Sequence, residues 1–237
     1  SRDWSSDVCS SDLNNCGVES TLNTLAMAGI IKMNENLKDQ KSVEKSFLKS
    51  VWERGLAGDD GLIGVLDEAD GGTLPDYYRD IMAYYGIKSK AYYMSTKTDG
   101  ITYDDLNELG YKISQGYGAV VGVSSSKLWN ETQSETGKIQ VDHAIAITGV
   151  VYETDKPTAG DTPVGFYIHD TGAWMTRFIS LKDFKEATLY DYIYGDTDDD
   201  THLSTLKEHD NKFGIDITKD TQGIFVTITD EPIKTNM

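Results

Sequence analysis

The sequence predicts a single α+β domain, with helices first and strands after them. Apolar residues recur at helical spacing in the first half and in short strand-like runs in the second. No Pro-rich linker and no internal repeat divides the chain. Its 237 residues, 38% of them hydrophobic, fit one core.

The elements follow in chain order. Residues 17–29 carry Val18, Leu22, Leu25 and Ala26 on one helical stripe, with Gly29 as C-cap. Residues 41–56 predict a second helix, with Val43, Phe47, Leu48, Val51 and Trp52 on one face. The stretch 57–73 is Gly- and Asp-rich, with a short apolar turn at Leu62–Leu66. Residues 74–85 predict a helix with Pro75 in its first turn, closed by Gly86. Lys88–Met94 reads as a strand. Residues 103–115 read as a helix with Asp104 and Asp105 near its start and Gly116 after it. The run AVVGV within Gly118–Ser124 fits a buried strand, and His143–Tyr152, Val164–Asp170 and Gly223–Thr229 predict three more. Residues 180–188 predict a short helix capped by Ser180, and 195–202 a loop.

Residues 1–13, SRDWSSDVCSSDL, have neither an apolar period nor the build of a signal peptide. They resemble translated sequencing-adapter read-through; the alternative is a disordered polar tail. Cys9 lies inside them, and the natural chain is expected to start upstream of Asn14. The domain is accordingly expected over 14–237.

Composition excludes some classes of function. A net charge of −17 opposes bulk attraction to polyanions, so nucleic acid is not an expected partner. No run of eighteen apolar residues predicts a membrane span. Two cysteines seven positions apart, Cys9 and Cys16, make neither a disulfide framework nor a zinc-ligand pattern. Such usage suits a cytoplasmic and a secreted protein alike.

The candidate chemistry begins at Cys16, at the start of the first predicted helix. A helix N-terminus offers partial positive charge and free N–H groups, which favour a thiolate and can hold an oxyanion. Gly17 beside it would let a substrate backbone approach. The alternative for Cys16 is an inert buried thiol. Of four histidines, His143 opens an apolar strand, where a base is held rigidly yet reaches a cleft. His169 is the second candidate; His202 and His209 lie in acidic, polar sequence. Asp142 adjoins His143 but points to the other face of a strand. Asp170 ends the next predicted strand, and antiparallel pairing would return it to His143. The alternation Phe166, Ile168, Asp170 then puts Asp170 inward and His169 outward. The order Cys, His, Asp, with the nucleophile on a helix and the others on a sheet, is papain-like.

These residues also carry a resemblance. NNCGVESTLNTLAMAGI resembles the nucleophile helix of the bacteriocin-processing, double-glycine-leader type of papain-like cysteine peptidases of bacteria. GGTLPDYYRDIMAYYGI, ISQGYGAVVGVSSSKLW, DHAIAITGVVYE, GFYIHDTG and ISLKDF resemble later pieces of that family in the same order, over roughly residues 14–188. The final strand GIFVTIT would close the sheet.

The resemblance implies a papain-like fold in which an N-terminal helical part, with the nucleophile helix, packs on an antiparallel sheet. It implies Cys16 as nucleophile, His143 as base and Asp170 as orienting acid. The implied activity is hydrolysis of a peptide amide through a thioester, with a peptide or protein as partner and no cofactor or metal. The family places an oxyanion-hole glutamine six residues before the cysteine, and Ser10 stands there, inside the adapter-like segment. The remaining oxyanion candidates are the Cys16 backbone N–H, Asn14 and Asn15. Two alternatives share the features: a non-catalytic peptide-binding domain on the same fold, and a transglutaminase-like acyltransferase.

Other signals are weaker. Asp196, Asp198 and Asp200 alternate like the start of an EF-hand loop, but Thr201 replaces its glycine and Lys207 its last glutamate. The tyrosine pairs Tyr77–Tyr78, Tyr84–Tyr85 and Tyr92–Tyr93 read as core and rim packing. Trp129 and Trp174 read as core residues that could flank a cleft.

Overall fold

The computed structural model describes residues 16–31, 75–95, 103–129, 143–171, 175–188, 191–192 and 221–234. The predicted helix over 41–56, the segment 57–73 and the loop 195–202 lie outside them. So do Cys9, Ser10, Asn14, Asn15, Asp142, Trp174, His202 and His209.

Helices and an antiparallel sheet make up the described residues: α1 (Cys16–Met27), α2 (Pro75–Tyr84), β1 (Ser89–Ser95), α3 (Tyr103–Ser114), β2 (Ala119–Val123), α4 (Ser125–Leu128), β3 (His143–Val151), β4 (Gly165–Asp170), β5 (Met175–Ser180), α5 (Leu181–Thr188), β6 (Asp191–Tyr192) and β7 (Thr221–Thr229). The sheet runs β1-β7-β2-β3-β4-β5, with β6 paired to β7. Every pairing among these strands is antiparallel. The last strand does not close an edge: β7 sits between β1 and β2.

Local signals explain the boundaries. Gly29 adopts φ 73°, a left-handed turn that ends α1, and the Ile30 N–H reaches back to the Leu25 carbonyl at 3.0 Å. Ser180 caps α5: its Oγ accepts the Asp183 N–H at 3.1 Å and donates to Asp183 Oδ2 at 2.7 Å.

Alternation divides the core between the two faces of the sheet. Val120 and Ala144 pack with Val18, Leu22 and Leu25 of α1 and with Tyr78, Ile81 and Met82 of α2. Their neighbours Val121 and Ile145 pack with Leu106 and Leu109 of α3, Phe166 and Ile168 of β4, and Phe184 of α5. Helices therefore cover both faces, and α1 is the one that crosses β3 on the first. Phe166 and Phe184, each fully buried, meet with ring centroids 4.6 Å apart. Burying each such side chain stabilises the fold by about 1.5–3 kcal/mol.

Candidate active site

Cys16 is the first residue of α1, in the turn where a helix leaves its N–H groups without intrahelical acceptors. The helix is buried on nearly every side from Gly17 to Leu25, although much of that stretch is polar. Its hydroxyls make this possible by bonding locally. Thr21 Oγ1 donates to the Gly17 carbonyl at 2.8 Å, and Thr24 Oγ1 to the Ser20 carbonyl at 2.9 Å. Ser20 does something different: its Oγ donates to the carbonyl of Ala144 in β3 at 2.9 Å. That bond ties the turn below Cys16 to the residue next to His143.

Gly17 has a role that the sequence did not disclose. A Cβ there would stand 2.6 Å from Cζ of the Tyr78 ring. The glycine accommodates α2 against α1, where the sequence suggested room for a substrate backbone.

His143 opens β3, opposite Val123 of β2, and is 2% exposed. Asp170 ends β4 and is fully buried. The register Ala146↔His169 sets Asp170 level with Ile145, so Asp170 and His143 lie diagonally on one face. His143 Nε2 donates to Asp170 Oδ1 at 2.9 Å. An ionised carboxylate only accepts, so Nε2 carries the proton and Nδ1 is left for the thiol. The His143 side chain is hydrogen-bonded to Cys16 as well. The structure thus brings Cys16, His143 and Asp170 together.

The electrostatics follow from that geometry. Burial is the largest single effect on His143 and opposes its charged form. The hydrogen bonds to Asp170 and Cys16, with the charges of both, outweigh it and raise the imidazole from 6.5 to about 10. An imidazolium held between a thiolate and a carboxylate is the resting state this favours. His169 faces the other way, bonded through Nδ1 to Thr176 Oγ1 at 3.0 Å. Its pKa is lowered by burial, against a smaller opposing pull from the Asp170 charge.

Two further side chains reach Asp170. Trp129 Nε1 donates to Asp170 Oδ2 at 2.7 Å, and its ring lies 5.1 Å from that of His143 at 48°. Arg177 Nη2 donates to the Leu128 carbonyl at 2.8 Å and stands 3.7 Å from the same Oδ2. The sequence presents Trp129 as a core residue that could flank a cleft, with no pattern that marks a polar role. Arg177 lies on β5, which carries no strand signal.

A pocket of about 480 Å³ between α2 and β1, lined by Arg79, Lys88, Ser89 and Asp230 among others, contains none of the three residues. Among the described residues, no group of three or more His, Cys, Asp or Glu is placed to hold a metal ion. No helix among them is long and apolar enough to cross a membrane. No protein-family model, curated protein or solved structure matches the chain.

Proposed function

We propose that the protein is a cysteine peptidase of papain-like architecture, with Cys16 as nucleophile, His143 as acid and base, and Asp170 as the group that orients His143. The observation that carries this reading is one buried imidazole bonded on one side to a carboxylate at 2.9 Å and on the other to a thiol at a helix N-terminus.

Each feature serves a step. The imidazolium and the start of α1 both stabilise the Cys16 thiolate. That thiolate attacks the carbonyl carbon of a peptide amide, and the charge moves onto the carbonyl oxygen. On this reading the Cys16 backbone N–H, at the helix start, is the donor to that oxyanion. His143 passes its proton to the leaving nitrogen as the C–N bond breaks, which leaves a thioester. The now neutral imidazole takes a proton from water, whose hydroxide attacks the thioester. The acid departs and the thiolate–imidazolium pair is restored.

Alkylation tests the thiol first. Reaction of Cys16 with iodoacetamide should proceed at a pH well below about 8.5, the ordinary thiol value. Incubation with a peptide library should release new amino termini and leave a transient acyl adduct on Cys16 detectable by mass spectrometry. Added hydroxylamine or a primary amine separates hydrolysis from acyl transfer, because a transferase diverts most acyl groups to the amine. An ordinary thiol pH profile together with no adduct would leave a peptide-binding domain.

A further inference from the structure

We propose that Trp129 is a positioning residue for the His143–Asp170 pair: its indole N–H fixes the second carboxylate oxygen of Asp170 while its ring covers the imidazole. The inference deepens the peptidase reading and rests on it for the reaction, though not for the contact. A carboxylate has two oxygens and rotates about one bond. With only Oδ1 engaged by His143, Asp170 could turn and loosen its hold. The 2.7 Å bond from Trp129 Nε1 to Oδ2 closes off that rotation. A part-buried indole N–H gains from an acceptor, so one contact serves both groups.

The placement follows from the chain. Trp129 comes directly after α4, whose Leu128 side chain is in the core and whose Leu128 carbonyl is held by Arg177 at 2.8 Å. The indole is therefore anchored by its own backbone neighbour from the strand next to Asp170. Its ring, tilted at 48° and 5.1 Å from the imidazole, shields the His143–Asp170 bond from water. Shielding strengthens a charged hydrogen bond, because the effective dielectric falls. The charged and titratable groups that reach Asp170 include His143 of β3 and Arg177 of β5, with Cys16 of α1 reached through His143. His169 adjoins Asp170 in sequence but faces away.

Trp129→Phe keeps an aromatic ring over His143 and removes only the donor. A hydrogen bond to a charged group is worth enough that kcat should fall about tenfold to a hundredfold, with KM nearly unchanged. Removing a donor from a carboxylate disfavours its charged form. The imidazolium, which leans on that charge, should then be lost about one pH unit lower on the alkaline side. Iodoacetamide alkylation of Cys16 against pH reads this without any peptide substrate. A packing role alone would lower stability and leave that alkaline limb in place, so an unmoved limb with unchanged kcat overturns the proposal.

The peptidase reading can fail separately. If Cys16 in the unaltered protein behaves as an ordinary thiol, that reading falls and the contact is still tested through His143. Its imidazole, followed by NMR, should titrate lower in Trp129→Phe than in the unaltered protein; identical titrations overturn the positioning role. Should Trp129→Phe fail to fold, the unaltered protein supplies the answer. Only four tryptophans share the indole region of a 15N spectrum, so Trp129 is assignable. Its N–H should resonate downfield, exchange slowly and move when Cys16 is carbamidomethylated. A fast-exchanging signal that ignores the modification overturns the proposal.

Discussion

His143 and His169 stand on adjacent strands near one carboxylate, and their fates are opposite. His169 is the sequence neighbour of Asp170, yet it lies on the outer face, hydrogen-bonds to Thr176, and is held below its ordinary pKa by burial. His143 is more deeply buried, and burial alone would lower it further. It is raised to about 10 instead, because Asp170 and Cys16 both bond to it. The difference teaches that a strand's alternation, and not proximity along the chain, decides which histidine a carboxylate serves. Burial makes a charge expensive; partners decide whether the charge survives.

The sharpest way to break this contrast is to remove each histidine in turn. On the proposed peptidase reading, His143→Gln should reduce peptide hydrolysis by about 10⁴-fold, as for loss of a triad member, and Cys16→Ala by at least as much. His169→Gln should stay within about threefold of the unaltered protein, because its side chain is turned away from the face that His143 and Asp170 share. Initial rates on a cleaved peptide, with circular dichroism to verify folding, decide the matter. Comparable losses at His143 and His169 would mean that the outer face takes part in the chemistry.

The same two faces of β4 differ in stability. Phe166 is fully buried on the inner face, whereas Tyr167, its neighbour, is 46% exposed on the outer face and meets the edge of Phe178, at 5.7 Å. Phe166→Ala should cost about 3–5 kcal/mol in urea unfolding, from lost burial and a residual cavity. Tyr167→Ala should cost about 1 kcal/mol, the scale of a single aromatic pair. Equal losses would show that Tyr167 is covered in solution.

The buried central strands were also the part legible in the sequence. Its apolar runs announce themselves: the stretch from Ala119 to Val123, the strand opened by His143 and the alternation Phe166, Ile168, Asp170 all correspond to described strands. Strand β5 carried no such signal. Met175 and Phe178 are both more than 40% exposed, so its apolar residues do not mark a buried face. Helix α4 has four residues and β6 has two, too few to display a period. The inner-face position of Asp170 followed from alternation, but its extra donors did not. Trp129 lies 41 positions from Asp170 in sequence, and no local pattern reports such a contact. Tyr78 filling the space beside Gly17 is likewise a fact of packing between two helices, invisible along either one.

Titration sharpens the contrast further. His143 has a folded-state pKa above the unfolded value of 6.5, so its charge stabilises the fold fully below about 6.5. That contribution disappears as the pH rises through about 10. His169 has a folded-state pKa below its unfolded value, so its contribution is present above about 6.5 and is lost as the pH falls through the folded value. NMR of the two imidazoles should therefore show His169 neutral while His143 is still protonated near pH ~8. A His143 that titrates near 6.5 would mean that Cys16 and Asp170 do not hold the imidazolium.

The smallest expected effect concerns how β3 is joined to the helix that begins at Cys16. Ser20 and Thr24 are both buried hydroxyls on α1, one turn apart, but only Ser20 bonds outside its own helix, to the Ala144 carbonyl at 2.9 Å. Ala144 is the residue after His143, so this bond fixes the height of Cys16 relative to the imidazole. Either Ser20→Ala or Thr24→Ala should cost about 1 kcal/mol of stability, the net worth of one hydrogen bond. Their effects on rate should differ. Losing the bond within α1 leaves the helix where it is on the sheet, so Thr24→Ala should keep activity within about twofold. Losing the tie to β3 lets the first turn of α1 shift by a fraction of an ångström. Reactions that depend on a held geometry are sensitive to displacements of that order, so Ser20→Ala should lose about tenfold in kcat with KM little changed. Equal rates in the two variants, at equal stability, would show that packing of Val18, Leu22 and Leu25 alone sets the position of Cys16.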